Sequence, residues 1–297
     1  MKPILVAGAG ISGLALAFSL RQRGLPVLAL EREVRPGGKI ASDTRDGYLC
    51  ERGPASFLDR QLTLTKLAHE VGIADRMIVA TAAAERRLVA SAGALHDTPL
   101  SAKTLISSHL LPTTAKLRML MDLILPRGPS AHGEEESVAE FGSRRLGRIA
   151  GERLLQPLVS GLYAGDATQV SLPSAFPLVA TMERVDRSFL WAMHKEMRRD
   201  KAKQPQLSTF AAGMNELVAA LGQALGPSLR LNMHLRKVEK KTTGFTVSVE
   251  ESGQLTQIEA RTLVIALPAP IGSPLLGPLD ESIGEVLGQI PYVPLTL

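Results

Sequence analysis

The turn Gly8-Ala9-Gly10-Ile11-Ser12-Gly13 constrains this chain more than any other stretch. A short apolar run, Ile4 to Ala7, leads into it and a helical stretch follows to about Arg23. A second apolar run, Val27 to Leu30, ends on Glu31. This order predicts strand, tight turn, helix and strand, with an acid at the tip of the second strand. Gly8 lets the chain turn sharply, Gly10 lets the backbone approach a pyrophosphate, and Gly13 lets the helix pack closely on the strand. The amides of Ile11, Ser12 and Gly13 open the helix and face the phosphates, with the positive end of the helix dipole behind them. Seventeen residues separate Gly13 from Glu31. That spacing places the Glu31 carboxylate to accept hydrogen bonds from both hydroxyls of a ribose. The stretch therefore reads as a dinucleotide site. A secretory signal fits poorly, because glycines break the apolar stretch and it lacks a clean small-residue cleavage site.

A length of 297 residues suggests about two domains with a real core. With 34 basic and 29 acidic side chains, the net charge of +5 is mild. It suits an anionic substrate or an anionic membrane surface. It does not point to nucleic acid, since no basic stripe is interleaved with aromatics. The single cysteine, Cys50, cannot form an internal disulfide and reads as a small packing residue. The six histidines have no ligand spacing, so no metal site is expected. No Walker loop or nucleophile elbow is present. No apolar run approaches the length of about eighteen residues that a spanning helix needs.

Beyond Glu31, the run Arg32-Glu33-Val34-Arg35-Pro36-Gly37-Gly38-Lys39 offers a glycine pair beside the pyrophosphate and a lysine that can neutralise it or be solvated. Glu51-Arg52-Gly53-Pro54 reads as a tight turn. Residues 62–72 have helical spacing, with Leu64, Leu67, Ala68 and Val71 on one face and Gly72 as the stop. Residues 85–96 read as a hairpin turning near Gly93, with Leu88 and Ala90 facing inward and Arg86 and Arg87 at its start. A solvated arginine pair is the ordinary reading; a buried arginine there would anchor a carboxylate through two parallel bonds. Residues 105–125 hold the most apolar helix, with a stripe of Leu117, Leu120, Met121 and Ile124. Burial in the core is the first reading and a membrane-interface helix the second. Ser137-Val138-Ala139-Glu140 is a capping box that starts a helix. A further helix is expected over 150–155. Gln156 to Asp166 reads as a glycine-punctuated turn, and 183–203 as one charged helix with Phe189, Leu190, Met193 and Met197 on one side. Strands are expected at 229–231, 235–238, 244–249 and 263–267.

Several stretches carry a resemblance. The Arg-x-Gly-Gly-Lys run at 35–39, followed by Glu51-Arg52-Gly53-Pro54, resembles the flavin-dependent amine oxidase superfamily, in which the dinucleotide is FAD. The stretch from Ser137 to Pro177 is similar to the protoporphyrinogen oxidase family, above all at Leu158-Val159-Ser160-Gly161-Leu162-Tyr163-Ala164-Gly165-Asp166. So are the hairpin from Arg87 to His96 and Phe210-Ala211-Ala212-Gly213-Met214. The resemblance covers essentially the whole chain. It implies an α/β architecture in which a Rossmann-like FAD-binding domain, split between 1–75 and 206–280, carries a mostly helical inserted substrate or membrane-facing domain at 76–205. Residues 281–297 are expected to open a further substrate-domain sheet, cut short where family members continue. The implied reaction is FAD-dependent oxidation of protoporphyrinogen IX, with oxygen as acceptor. The alternatives are the same chemistry on coproporphyrinogen III, another member of the superfamily, and an inactive FAD-binding remnant. The implied cofactor set is Gly8, Gly10, Ile11, Ser12, Gly13, Glu31, Arg32, Gly37, Gly38, Lys39, Gly53, Pro54 and Leu235, the last through its backbone against adenine. Arg87 is the implied substrate anchor and the Gly161 backbone the lining of the slot. No side-chain general base stands out. A cytoplasmic location, peripheral contact with the inner face of the cell membrane and a homodimer complete the expectations.

Overall fold

In the computed structural model the described residues are 1–59, 61–81, 86–91, 93–99, 102–129, 135–197 and 206–294. In chain order, the first part runs β1 (Ile4–Ala7), α1 (Ile11–Gln22), β2 (Val27–Leu30), β3 (Ser42–Arg45), β4 (Tyr48–Glu51), β5 (Phe57–Leu58), α2 (Thr63–Glu70) and β6 (Met77–Val79). The middle part runs β7 (Leu88–Ser91), β8 (Ala94–Asp97), α3 (Ala102–Ser107), α4 (Thr113–Leu120), α5 (Val138–Arg145) and α6 (Arg148–Ala150). It continues through α7 (Gln156–Tyr163), α8 (Leu172–Ala175), α9 (Pro177–Asp186) and α10 (Phe189–Met197). The last part runs β9 (Leu207–Phe210), α11 (Asn215–Leu225), β10 (Leu229–Arg230), β11 (His234–Lys241), β12 (Gly244–Glu251), β13 (Gln254–Ala260), β14 (Thr262–Ile265), α12 (Ala269–Leu276) and α13 (Glu281–Gly288).

The chain forms two compact units, one from Met1–Ala80 and Pro205–Tyr292, the other from Thr81–Gln204. In the first unit a parallel sheet has the order β10-β2-β1-β14. Its central strand β1 pairs Ile4 with Val27 on one side and with Thr262 on the other. β1 and β2 are almost wholly buried, as the continuous apolar runs at 4–7 and 27–30 require of a strand covered on both faces. α1 and α11 cover one face through Leu14, Ala17, Phe18, Leu217, Val218 and Leu221. The antiparallel sheet β11-β12-β13 covers the other, where Val247, Val249 and Ala260 meet Leu5 and Leu30. Leu64, Leu67 and Val71 pack on the α1–α11 core, as their spacing requires. Helix α2 takes its cap from outside itself: the Asp59 carboxylate accepts from Thr63 N at 2.8 Å and Thr65 N at 2.7 Å. The hairpin β3–β4 was not foreseen. Residues 281–288, expected to open a further sheet, form helix α13 instead.

The second unit is mostly helical. The capping box holds as read: Ser137 Oγ accepts from Glu140 N, and the Glu140 carboxylate accepts from Ser137 N. The 105–125 helix does not form as one element. It breaks between α3 and α4, where Pro112 disfavours continuation. The face it buries is also the other one. Leu110, Leu111, Ala115 and Met119 enter the core, while Leu117, Leu120, Met121, Leu123 and Ile124 stand 45–69% exposed. Leu88 and Ala90 of the hairpin are exposed rather than inward, and Val89 takes the more buried side; Glu85 and Ala92 lie outside the described residues. The expected turn at 156–166 is helical to Tyr163 and ends on Ala164 in the left-handed region, at φ 50°. A π-helical segment, Gly151–Leu155, precedes it, and Pro157 falls in the first turn of α7, where its missing N–H costs least. The expected helix at 183–203 is two: α9 stops at Asp186 and α10 starts at Phe189, hinged on Arg187 at φ 61°. Residues 198–203 lie outside the described residues.

A charged cluster sits in the centre of the second unit. Arg145, Asp122 and Glu183 are fully buried. Arg145 Nε donates to Glu183 at 2.7 Å, its Nη2 lies 2.5 Å from the same oxygen, and its Nη1 lies 3.2 Å from Asp122. Arg144 bridges Glu183 at 2.7 Å and Glu136 at 2.8 Å. Asp122 also accepts from Ser188 Oγ at 2.7 Å and Leu190 N at 2.9 Å, at the start of α10. Gly128 N donates to Glu183 at 2.9 Å, and a Cβ on Gly128 would lie 2.0 Å from the Arg144 guanidinium. Burial raises the Glu183 carboxyl. Hydrogen bonds from Arg144, Arg145 and the Gly128 amide more than reverse that, so it ends below the usual carboxylate range. Burial lowers the Arg144 guanidinium, and Glu136 and Glu183 more than restore it, so its net displacement is upward.

Candidate functional site

The site is built at the carboxyl ends of β1, β2 and β14, where a parallel α/β sheet presents its loops to ligands. Gly8 adopts φ +97°, and a Cβ there would lie 2.7 Å from the Ala266 carbonyl oxygen and 2.9 Å from the Leu267 side chain. Gly13 faces a harder limit: a Cβ would stand 1.9 Å from the Gly8 carbonyl oxygen. Those two glycines are demanded by the fold itself.

Gly10 is different. Its backbone is ordinary extended chain at φ −66° and ψ 174°, and a Cβ built on it would meet nothing within 4 Å. The protein's own packing does not need glycine there. What a side chain would fill is the open space in front of α1. That helix starts at Ile11 with no side-chain cap and no acid in its first turn, so its N-terminal amides and dipole are uncompensated. A cradle of this kind suits a pyrophosphate.

The loop at 35–39 closes on this turn. Gly37 N donates to Ala9 O at 2.8 Å, and a Cβ on Gly38 would lie 3.2 Å from Gly10 Cα. Arg35 braces the loop by donating to the carbonyls of Gly38 at 3.1 Å and Ile40 at 3.0 Å. Gly53 seats against the same loop: its Cβ would lie 2.1 Å from Lys39 O. Pro54, beside it, is exposed. Glu31 is 8% exposed. Its Oε2 accepts from Ala9 N at 2.8 Å and its Oε1 from Glu33 N at 3.0 Å, which fixes the carboxylate and leaves each oxygen acceptor capacity for a ribose hydroxyl. Arg32 is exposed and pairs with Glu33 at 2.9 Å. Leu235 packs on the cluster that contains Leu30, at a bulge between Leu235 and Lys237 in β11.

The structure thus brings the glycines at 8, 10, 13, 37, 38 and 53 together with Glu31 and Lys39. Arg87 and Gly161 belong to the second unit. Arg87 is exposed on the hairpin flank beside Arg86, which is the member of the pair held bidentate by Asp97 at 2.9–3.0 Å. Gly161 is an exposed position of α7, and a Cβ there would meet nothing within 4 Å. Among the described residues, no group of three or more His, Cys, Asp or Glu side chains could hold a metal ion.

Sequence reasoning missed a second joint. The Glu51 carboxylate accepts from Met214 N and Ser42 Oγ, and Ser42 Oγ accepts from Asn215 N at 2.9 Å. The hairpin β3–β4 therefore caps α11, whose own N-cap residue, Met214, makes no side-chain cap. The sole signal was Glu51 in the turn before Gly53; Ser42 had none.

The family model described as flavin containing amine oxidoreductase matches residues 11–296. The chain is 31% identical over 305 residues to chloroplastic protoporphyrinogen oxidase of Nicotiana tabacum, covering 98% of this chain and 55% of that protein. It is 30% identical over 298 residues to coproporphyrinogen III oxidase of Bacillus subtilis (strain 168), covering 94% and 62%. It thus spans somewhat more than half the length of the curated relatives it matches. A solved structure from Exiguobacterium sp. 255-15, itself provisionally assigned as a protoporphyrinogen oxidase, superposes with a TM-score of 0.76 at 24% identity, covering 93% of this chain and 61% of that one. That likeness fixes the fold.

Proposed function

Because this chain belongs to the flavin-containing amine oxidoreductase family, we propose that it binds FAD across the Gly8–Gly13 turn and oxidises protoporphyrinogen IX to protoporphyrin IX, with oxygen as acceptor. The observation that carries the reading is the space beside Gly10, open to a ligand and bounded by the uncapped end of α1 and the fixed Glu31 carboxylate. Residues Ile11 to Gly13 would meet the pyrophosphate, Lys39 would offset its charge, Glu31 would hold the ribose and the Leu235 backbone the adenine. Bound flavin supplies the hydride acceptor. The protein's own part is to bind, orient and keep water out. Arg87 is the proposed anchor for a propionate, and the Gly161 backbone the proposed wall of the porphyrinogen slot. Similarity to relatives named for protoporphyrinogen and for coproporphyrinogen III supports a porphyrinogen as the substrate class.

The test is an absorption spectrum of the purified chain, followed by anaerobic addition of protoporphyrinogen. A flavin spectrum that bleaches on addition is the expected result. Bleaching with coproporphyrinogen III alone would move the assignment to the four-carboxylate substrate. Bound flavin that neither substrate reduces would mean a binding remnant, and a chain that cannot be loaded with FAD would sink the reading.

A peripheral membrane contact belongs to the same proposal, with the protein in the cytoplasm on the inner face of the cell membrane. Its support is the exposed set Leu117, Leu120, Met121, Leu123 and Ile124. Arg187 borders it through the Ile124 and Leu125 carbonyls. Among the described residues no helix is long and apolar enough to cross a membrane. An apolar face with an arginine at its border suits an anionic lipid surface. Co-sedimentation with anionic vesicles is expected, falling several-fold for Leu120→Ser with Ile124→Ser. Equal sedimentation of both proteins, or none, would refute the contact.

A further inference from the structure

Tyr292 lies beside the dinucleotide turn although it is more than 250 residues distant in sequence. Lys39 Nζ stands 5.2 Å from the centre of its ring. Its hydroxyl accepts from Ala269 N at 3.2 Å, at the start of α12. Ala269 stands two residues beyond Leu267, which with Ala266 closes on Gly8. One side chain therefore links the Gly38–Lys39 loop to the segment that backs the turn.

The backbone of Lys39 is pinned under Gly53, but its side chain is exposed and carries no carboxylate partner among the described ion pairs. A free lysine stem samples many rotamers, and each must be given up when the ammonium meets a phosphate. An aromatic face holds an ammonium without neutralising it, so the charge remains available. We propose that Tyr292 is a positioning residue for the cofactor's pyrophosphate: its ring pre-orients the Lys39 ammonium, and its hydroxyl fastens the ring to the start of α12. The inference rests on the FAD reading of the turn and adds a residue to it.

Two measurements on the full 297-residue chain test it. The first is the dissociation constant for FAD, followed by flavin fluorescence. Tyr292→Leu is expected to raise it about two- to fivefold, the scale of an exposed cation–π contact. Tyr292→Phe keeps the ring but loses its tether, and is expected to fall between wild type and Tyr292→Leu. In a Lys39→Met background, Tyr292→Leu is expected to add nothing. The second is the NMR shift of the Lys39 ε-protons in the cofactor-free protein, displaced by the ring current in the wild type and in Tyr292→Phe, and unshifted in Tyr292→Leu. An equal loss of affinity from Tyr292→Leu in both backgrounds would overturn the proposal, as would a Lys39 signal indifferent to residue 292. A wild-type chain that shows the ring-current shift and yet binds no FAD would instead overturn the cofactor reading beneath it.

Discussion

Replacing Arg145 by Met is expected to cost the second unit about 3–5 kcal/mol, the scale on which a buried ion pair fails when one partner is removed. Arg145 is fully buried against Glu183 and Asp122, so its loss leaves two buried carboxylates, of which Glu183 keeps the Arg144 guanidinium and Asp122 loses its ion pair. The cluster also fixes three segments at once: the loop at Gly128, the end of α5, and, through Asp122, the start of α10. Urea unfolding followed at Trp191 reports this directly, because the chain's single tryptophan lies in α10. Arg148→Ala is the control. Its pair with Glu152 is exposed on both sides, and its loss is expected to register below about 0.5 kcal/mol. A Met variant as stable as wild type would show that the cluster does not hold the unit together. The same cluster sets an acid limit. The folded Glu183 carboxyl lies below its unfolded value, so its contribution is complete above the ordinary glutamate range and is lost as pH falls through the folded value. Glu183→Gln should flatten that acid limb while lowering stability at neutral pH.

The second large effect separates two glycines of one motif. Gly10→Ala is expected to leave the melting temperature of the cofactor-free chain within a few degrees of wild type, since the new Cβ meets nothing and the backbone conformation is open to alanine. FAD affinity should nevertheless fall on the order of a hundredfold, the cost of about one or two charge-assisted hydrogen bonds to phosphate. Gly13→Ala should do the reverse in kind: a Cβ 1.9 Å from the Gly8 carbonyl oxygen forces α1 off the sheet, so cofactor-free stability itself collapses. Calorimetry of both variants, with and without FAD, distinguishes them. Equal FAD binding by Gly10→Ala and wild type would mean that the open space is not where the ligand sits.

The geometry around the Gly8–Gly13 turn was legible because each part is a local demand. A sharp turn, an uncapped helix end and an acid at a strand tip each require particular residues at fixed spacing. The Ser137 capping box was readable for the same reason. What failed was everything decided by the other side of a contact. The periodicity at 105–125 showed that apolar residues recur, but not whether Ala115 and Met119 or Leu117 and Leu120 would meet the core. The hairpin β3–β4 is exposed along most of its length, so it has no alternation to find. Gly161 suggested a turn because glycine is unfavourable inside helices, yet the helix runs through it, and its cost there is modest. Asp122, Arg144, Arg145 and Glu183 were four scattered charges until the fold buried them together. Arg87 and Gly161 came from resemblance, and their roles rest on the proposal.

The pairing of β1 with β14 sets a timetable. Val6 lies beside Val264, and Gly8 is closed by Ala266 and Leu267, so a turn made early is completed only by a strand that emerges much later. At a synthesis rate of about 5–20 residues per second, roughly ten to fifty seconds separate Gly13 from Leu267 leaving the ribosome's active centre. Throughout that interval β1 has β2 on one side and a bare, wholly apolar edge on the other, while the main segment of the second unit, Thr81–Gln204, is synthesised before β14. The nascent protein is thus expected to acquire its inserted unit before its cofactor site and to need protection at one strand edge while it waits.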